Sequence, residues 1–118
     1  MFNRMVEYVS KTLDRVFAAV ADPTRRAILE DLAQGPATVT QIAGSFPVSL
    51  NAVSKHIMVL ERAGLLKREI RGREHHCSLA PGPLRDATAW LDHYREFWET
   101  RLDALEHHLA AKKKQRRR

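Results

Sequence analysis

The stretch SLNAVSKHIMVLERAGLL, residues 49–66, decides the fold. Its Ser49 is typical of a helix N-cap and its Gly64 of the position just beyond a helix C-terminus, so a helix is predicted between them, ending at about residue 63. Three apolar residues recur at i, i+4 and i+7 and should form the buried stripe of this helix: Val53, Ile57 and Leu60. The opposite face carries Asn51, Ser54, Lys55 and Met58.

The segment before this helix predicts two more helices and a turn. Thr38 and Gln41 have the spacing of a capping box and open a short helix, which ends in a turn at Phe46-Pro47-Val48. Further upstream, Asp22-Pro23 begins a helix that Gly35-Pro36 stops. A short helix, a tight turn and a second helix with a polar outer face are typical of a helix-turn-helix.

The segment after Gly64 predicts a β-hairpin. The residues LLKREI and EHHCSL read as two short strands around the turn Arg71-Gly72-Arg73, which offers no apolar side chain for burial. A hairpin directly after a helix-turn-helix is the wing of a winged helix, and its arginines suit minor-groove or phosphate contacts. The alternative is a purely structural hairpin with solvated arginines.

A long helix is predicted over residues 84–111. Its apolar residues follow coiled-coil-like spacing, and the 26 residues from 84 to 109 reach roughly 39 Å, longer than a small domain is wide. Such a stripe favours pairing with a second copy of the chain across a two-fold axis. Wrapping back over the helix's own domain is the alternative.

Composition and charge limit the function classes. The chain has 118 residues, 44% of them apolar, and one cysteine, which indicates one globular domain in a reducing compartment, expected to be the cytoplasm. No secretory signal or membrane span is predicted, and so no membrane partner. Residues 50–79 carry six basic and three acidic side chains, whereas residues 84–111 carry three and six. A positive segment beside a negative one suggests a polyanion-binding face and a separate interface.

The two ends are predicted to lie outside the folded domain, which spans residues 11–111. Residues 1–10 show no periodicity and are expected to be loose, and the helical pattern begins at Leu13. The final KKKQRRR, residues 112–118, has no apolar residue and is expected to be a disordered basic tail.

Taken together, VADPTRRAILEDLA (20–33), the phrase at 49–66 and RGREHHCSL followed by the long helix resemble the winged-helix repressors of the ArsR type. The resemblance implies a mainly α fold with a small β-hairpin, and a homodimer that represses genes from a palindromic operator in double-stranded DNA. It also implies that the first and last helices pair across the dimer axis. The dimer contacts are then expected at Leu13, Val16, Phe17, Leu84, Leu91, Tyr94, Trp98, Leu102 and Leu105.

The sequence departs from the metal-sensing members of that family. Their paired cysteines are absent from TVTQIAGSF, the corresponding stretch, and Asp92 directly precedes His93, so the Asp-x-His spacing of the last helix is missing. The chain therefore resembles the branch without metal sites, and no metal or cofactor is predicted. The sequence does not predict which effector, if any, the protein responds to.

The DNA-contacting residues are predicted mainly on the fourth helix and the wing, with one at the cap of the short helix before them. Asn can form two hydrogen bonds to adenine, Ser can bond to either class of base, and Lys can bond to guanine or a phosphate. The first two turns of such a helix enter the major groove. The predicted set is Thr38, Ser49, Leu50, Asn51, Ser54, Lys55, His56, Arg71 and Arg73. Of these, His56 lies nearer the packed side of the helix and has a core role as its alternative.

Other functions remain as alternatives. His75 and Cys77 share one strand face, which leaves a thiol- or metal-responsive regulator open, although two ligands are too few for a closed zinc site. A non-specific nucleic-acid-binding protein and a module that holds a different protein through the long helix are the others. No catalytic motif is present, so an enzyme is not predicted.

Overall fold

The computed structural model describes the backbone of residues 2–117 and the side chains of residues 10–116. The described chain forms two compact units, Met1–Ala87 and Thr88–Arg118. Five helices and three strands follow one another in the order α1 Phe2–Val20, α2 Pro23–Gln34, β1 Ala37–Thr38, α3 Val39–Gly44, α4 Leu50–Arg62, β2 Leu66–Arg71, β3 Glu74–Leu79 and α5 Gly82–Arg117.

The predicted helix caps are confirmed. The Asp22 carboxylate accepts a hydrogen bond from the Arg25 backbone N–H at 3.0 Å, and Pro23 opens α2. Thr38 and Gln41 form the reciprocal capping box at the start of α3. The Ser49 hydroxyl accepts from the Ala52 N–H at 3.1 Å and so fixes where α4 begins. These bonds satisfy backbone donors that have no partner within the helix, and they set the helix-turn-helix.

The wing is part of a three-stranded antiparallel sheet with strand order β1-β3-β2. β2 and β3 pair from Leu66 opposite Leu79 to Arg71 opposite Glu74, and Gly72 turns the hairpin with a φ of 62°. β1 adds two residues at the other edge of β3, with Ala37 opposite Cys77. The predicted winged helix-turn-helix, mainly α with a β-hairpin, is confirmed.

One apolar core holds the first unit together. α4 contributes the predicted stripe, whose three residues are fully buried. The other buried side chains come from α1, α2, α3, the connection between α4 and β2, the sheet and the second turn of α5. The completely buried large residues are Ile28, Ile42, Ile57, Leu60, Leu65, Val16, Val53 and Cys77. Because α4 packs through one face only, its opposite face is presented outward.

Both ends differ from the prediction. α1 begins at Phe2 rather than near Leu13, and α5 continues to Arg117, so the described parts of residues 1–10 and 112–118 are helical in the structure. Residues 1 and 118 lie outside the described chain. Neither segment contains Pro or Gly, and Ala, Lys, Gln and Arg are good helix formers, so nothing stops either helix.

No helix among the described residues is both long enough and apolar enough to cross a bilayer.

Candidate nucleic-acid interface

The outer face of α4 exposes most of the residues predicted to read bases. Leu50, Asn51 and Lys55 are exposed, and Ser54 is half-buried. All four lie in the first two turns of the helix, while the buried stripe on its other side fixes the helix against the core. The 13 residues of α4 span about 20 Å, and the B-DNA major groove is ~12 Å wide, so the first turns of the helix fit into it.

The first turns of α4 and the wing border a single groove of about 800 Å³. Leu50 and Ser54 line it from α4, and Arg73 lines it from the wing. The remaining lining comes from β1 and the residue before it, from the start of α3 and from both wing strands, and comprises Pro36, Ala37, Thr38, Val39, Thr40, Gln41, Arg68, Glu74, His75 and His76. Of the residues predicted to contact DNA, the structure brings Thr38, Leu50, Ser54 and Arg73 to one concave face. The others do not line the groove: Ser49, Asn51, Lys55, His56 and Arg71.

Arg68 is a residue of this groove that the sequence did not identify. Its Nη2 lies 3.3 Å from Glu61 Oε1 on α4, and its Nη1 lies 3.3 Å from His75 Nδ1 on β3. These contacts connect both strands of the wing to α4. The sequence holds no signal for it, because the contacts depend on the packing of β2 against α4 and on the register of the hairpin.

The two arginines of the wing tip are not equivalent. Arg71 donates to the Glu69 carboxylate at 3.2 Å, and this hydrogen bond lowers the pKa of Glu69. Arg73 is exposed and takes part in no salt bridge among the side chains of residues 10–116. Of these two arginines, Arg73 is therefore the one whose charge has no carboxylate partner among these side chains.

His56 lies on the side of α4 that faces α1 and α2, and its assignment as a DNA contact stays a prediction. Its Nδ1 lies 3.3 Å from Arg25 Nη1 and 3.9 Å from the Asp22 carboxylate, and its side chain is 23% exposed. The hydrogen bond from the Arg25 backbone N–H is the main reason that the pKa of Asp22 is lowered. The i+3 offset from the buried Val53 turns His56 toward the packed side, as its alternative role required.

Arg25 joins three helices through its guanidinium. Nε donates to the Ala19 carbonyl at 2.6 Å and Nη2 to the Ala18 carbonyl at 3.0 Å, so the side chain caps the C-terminus of α1 while it contacts His56 on α4. Arg26 makes one such bond, to the Val20 carbonyl at 2.7 Å. Carbonyls at a helix C-terminus lack intrahelical donors and favour a cation.

We expect Arg25→Ala to lower the free energy of unfolding by roughly 1–3 kcal/mol, because several carbonyl and imidazole contacts lose their charged donor. Arg26→Ala is the matched control, and it should cost less because only one exposed bond is lost. Urea unfolding of the two variants beside the parent measures both values. A loss for Arg26→Ala equal to that for Arg25→Ala would contradict this role of the Arg25 network.

The cluster on β3 gives little support to a thiol or metal sensor. Register confirms that His75 and Cys77 share a face that excludes His76. Cys77 is fully buried, and its burial raises the pKa of the thiol, so it carries less of the reactive thiolate. His75 contacts Arg68, and His76 lies 3.0 Å from Glu74. Nowhere in the described residues do three or more His, Cys, Asp or Glu side chains group in a way that would hold a metal ion.

The residues predicted to form dimer contacts fall into two groups. Leu13 and Val16 are buried in the core of the first unit, and Leu84 packs half-buried against that core, so these three side chains have packing partners within their own protomer. The reason is that the apolar stripe of α1 packs on its own protomer. Phe17 remains 37% exposed.

The second unit, by contrast, exposes a continuous apolar stripe on α5. Its members are 41–60% exposed and include three residues outside the predicted set, Trp90, Phe97 and Leu109. The predicted members are Leu91, Tyr94, Trp98, Leu102 and Leu105. An exposed apolar surface of this extent marks an interaction site.

Comparison with known proteins agrees with this geometry. Residues 20–69 match the family model described as a helix-turn-helix domain. The HTH-type transcriptional regulator Rv2034 of Mycobacterium tuberculosis is 42% identical over 89 residues, which are 75% of this chain and 80% of that protein. The transcriptional repressor SdpR of Bacillus subtilis is 34% identical over 79 residues, 67% of this chain and 88% of that one.

Solved structures are similar to this chain over most of its length. The ArsR family transcriptional regulator RHA00566 has a TM-score of 0.71 at 40% identity, covering 76% of this chain and 93% of its own. The homodimeric winged helix-turn-helix DNA-binding domain Mb0332 of Mycobacterium bovis has a TM-score of 0.61 at 27% identity, covering 86% and 85%. The chain therefore belongs to the ArsR family of helix-turn-helix transcriptional regulators.

Proposed function

We propose that this chain is a cytoplasmic repressor that binds a palindromic DNA operator as a homodimer, and that it is a regulator rather than an enzyme. The observation that carries the proposal is the groove that α4 and the wing share, since Leu50, Ser54 and Arg73 line it together. A helix that enters the major groove reads bases, while a wing cation beside it contacts the backbone.

The individual contacts follow from the side-chain chemistry. Asn51 and Ser54 are assigned to base edges, Leu50 to a thymine methyl group, and Lys55 to a guanine or a phosphate. Thr38 and Ser49 use their hydroxyl oxygens as helix caps, and each hydroxyl also carries a donor suited to a phosphate oxygen. Arg71 and Arg73 are assigned to phosphates of the DNA backbone beside the wing.

The homodimer is proposed to form through α5. Its exposed stripe of aromatic and leucine side chains can pack against the same stripe of a second copy. The related Mb0332 domain is homodimeric. A two-fold dimer presents two copies of α4, so the operator should have matching symmetry.

Footprinting of the purified protein on the DNA upstream of its own gene tests the proposal. We expect protection of a defined segment at protein concentrations that leave random DNA unprotected. Equal protection of all DNA would favour a non-specific nucleic-acid-binding protein, and protection of none would favour a module that holds another protein.

The wing assignment makes a separate prediction. Arg73→Ala should weaken binding to operator and random DNA alike, because a phosphate contact carries no sequence information. The slope of log K against log salt should become shallower by about 0.9 for the lost contact. Lys67→Ala is the matched control, since Lys67 is exposed on β2 but does not line the groove. A loss confined to the operator, or an unchanged slope, would refute a phosphate contact at Arg73.

A further inference from the structure

We infer that a second groove, between α1 and α4, binds a small organic anion with an apolar tail. This α1–α4 groove is lined by Arg15, Ala18 and Ala19 from α1 and by Val59, Arg62 and Ala63 from the end of α4. It lies within the first unit and shares no lining residue with the groove assigned to DNA.

The size and the floor of the α1–α4 groove suit a small molecule. It is a solvent-open surface groove of about 450 Å³, a volume within the range of small-molecule sites. The four lining residues other than the arginines are apolar, and Val59 is 38% exposed although it is a large aliphatic side chain. A hydrocarbon tail placed there removes exposed apolar surface from water.

The rim of the groove selects for negative charge. Arg15 and Arg62 also line an adjoining depression of about 420 Å³, to which Arg85 contributes as well. The one acid that lines either space is Asp86. Across the side chains of residues 10–116, no salt bridge involves Arg15, Arg62 or Arg85. Guanidinium groups that lack a carboxylate partner offer paired donors suited to a carboxylate or phosphate.

The helix dipole accounts for only one of these three arginines, and the assigned DNA contacts are distant from it. Arg62 follows Asn51 by 11 residues, so it lies about 16 Å along α4 from the turns that are assigned to the DNA. A cation in the last turn of α4 offsets the helix dipole, which explains Arg62. It does not explain why Arg15 of α1 and Arg85 of α5 line the same pair of spaces.

The test uses octanoate as the probe, with octylammonium as a probe of equal tail length and opposite charge. Isothermal titration calorimetry on the full chain without DNA should give saturable octanoate binding at one site per chain and no comparable binding of octylammonium. The measurement needs no operator, so its outcome is independent of the proposed repressor function.

Substitutions locate the site. Arg15→Gln and Arg62→Gln should each weaken octanoate binding roughly tenfold or more, because a charge-assisted hydrogen bond is lost. Lys11→Gln is the matched control, since Lys11 is exposed on α1 and does not line the groove. Val59→Glu, which places a carboxylate in the floor, should abolish binding, and circular dichroism checks that each variant remains folded.

Four outcomes would overturn the inference. They are equal binding of both probes, no octanoate binding, octanoate affinity unchanged in the Arg15 and Arg62 variants, and an equal loss in Lys11→Gln.

Discussion

The double variant Trp98→Glu/Leu102→Glu should be a monomer, and it should bind operator DNA at least ~100-fold more weakly than the parent. Trp98 and Leu102 are each 60% exposed on α5 and lie in its apolar stripe. A dimer that buries this stripe would have to bury two unpaired carboxylates from each protomer, which is strongly unfavourable. A monomer then binds one half-site without the second, linked recognition helix.

Thr100→Glu is the control for the added charge. Thr100 is exposed and lies two residues after Trp98, about 200° around the helix, where its hydroxyl donates to the Glu96 carbonyl. This variant should remain dimeric and bind the operator as the parent does. Sedimentation equilibrium and gel-shift titration measure the two properties. A double variant that stays dimeric would contradict the assignment of the interface to this stripe.

The second large effect is expected at the base-reading face. Asn51→Ala and Ser54→Ala should each cost roughly 1–3 kcal/mol of binding free energy on the operator and little on random DNA, because a base contact is lost and phosphate contacts are kept. Asn51 is exposed in the first turn of α4, and Ser54 lines the groove beside the wing.

Met58→Ala provides the comparison on the same helix. Met58 is 43% exposed and lies one turn beyond Ser54, past the turns that are assigned to the major groove. Met58→Ala should leave the affinity unchanged for both operator DNA and random DNA. Equal losses on operator and random DNA for Asn51→Ala and Ser54→Ala would remove these two residues from direct readout.

The parts of this fold that the sequence predicted are those set by local chemistry. The caps at Asp22, Thr38 and Ser49 act within three residues, and the buried stripe of α4 follows from helical spacing. The wing was predictable because a turn containing Gly72 separates two short strands.

The parts that the sequence missed depend on distant contacts. β1 is two residues long and exists through its pairing with β3, almost forty residues later in the chain. The sequence places His56 near the packed side of α4 but does not identify its packing partner, because Arg25 is 31 residues away in the chain. Leu13 and Val16 have a helical spacing that fits a dimer interface and a protomer core equally well, and only the packing of α1 distinguishes the two.

The ends of the chain show a different limit. A lack of apolar periodicity predicted loose segments, yet helix propensity alone continues α5 through the basic residues at its end. The stripe on α5 is the reverse case, because its coiled-coil-like spacing is visible in the sequence and remains exposed in the protomer.

Selection of binding sites from a pool of random DNA by the purified full chain tests the central claim most directly, since that claim is a two-fold dimer reading DNA through α4. The account predicts that the selected sites converge on an imperfect palindrome, with half-site centres about 10 base pairs apart or a multiple of that, and that two chains occupy each site. Convergence on a site without two-fold symmetry, occupied by one chain, would contradict it.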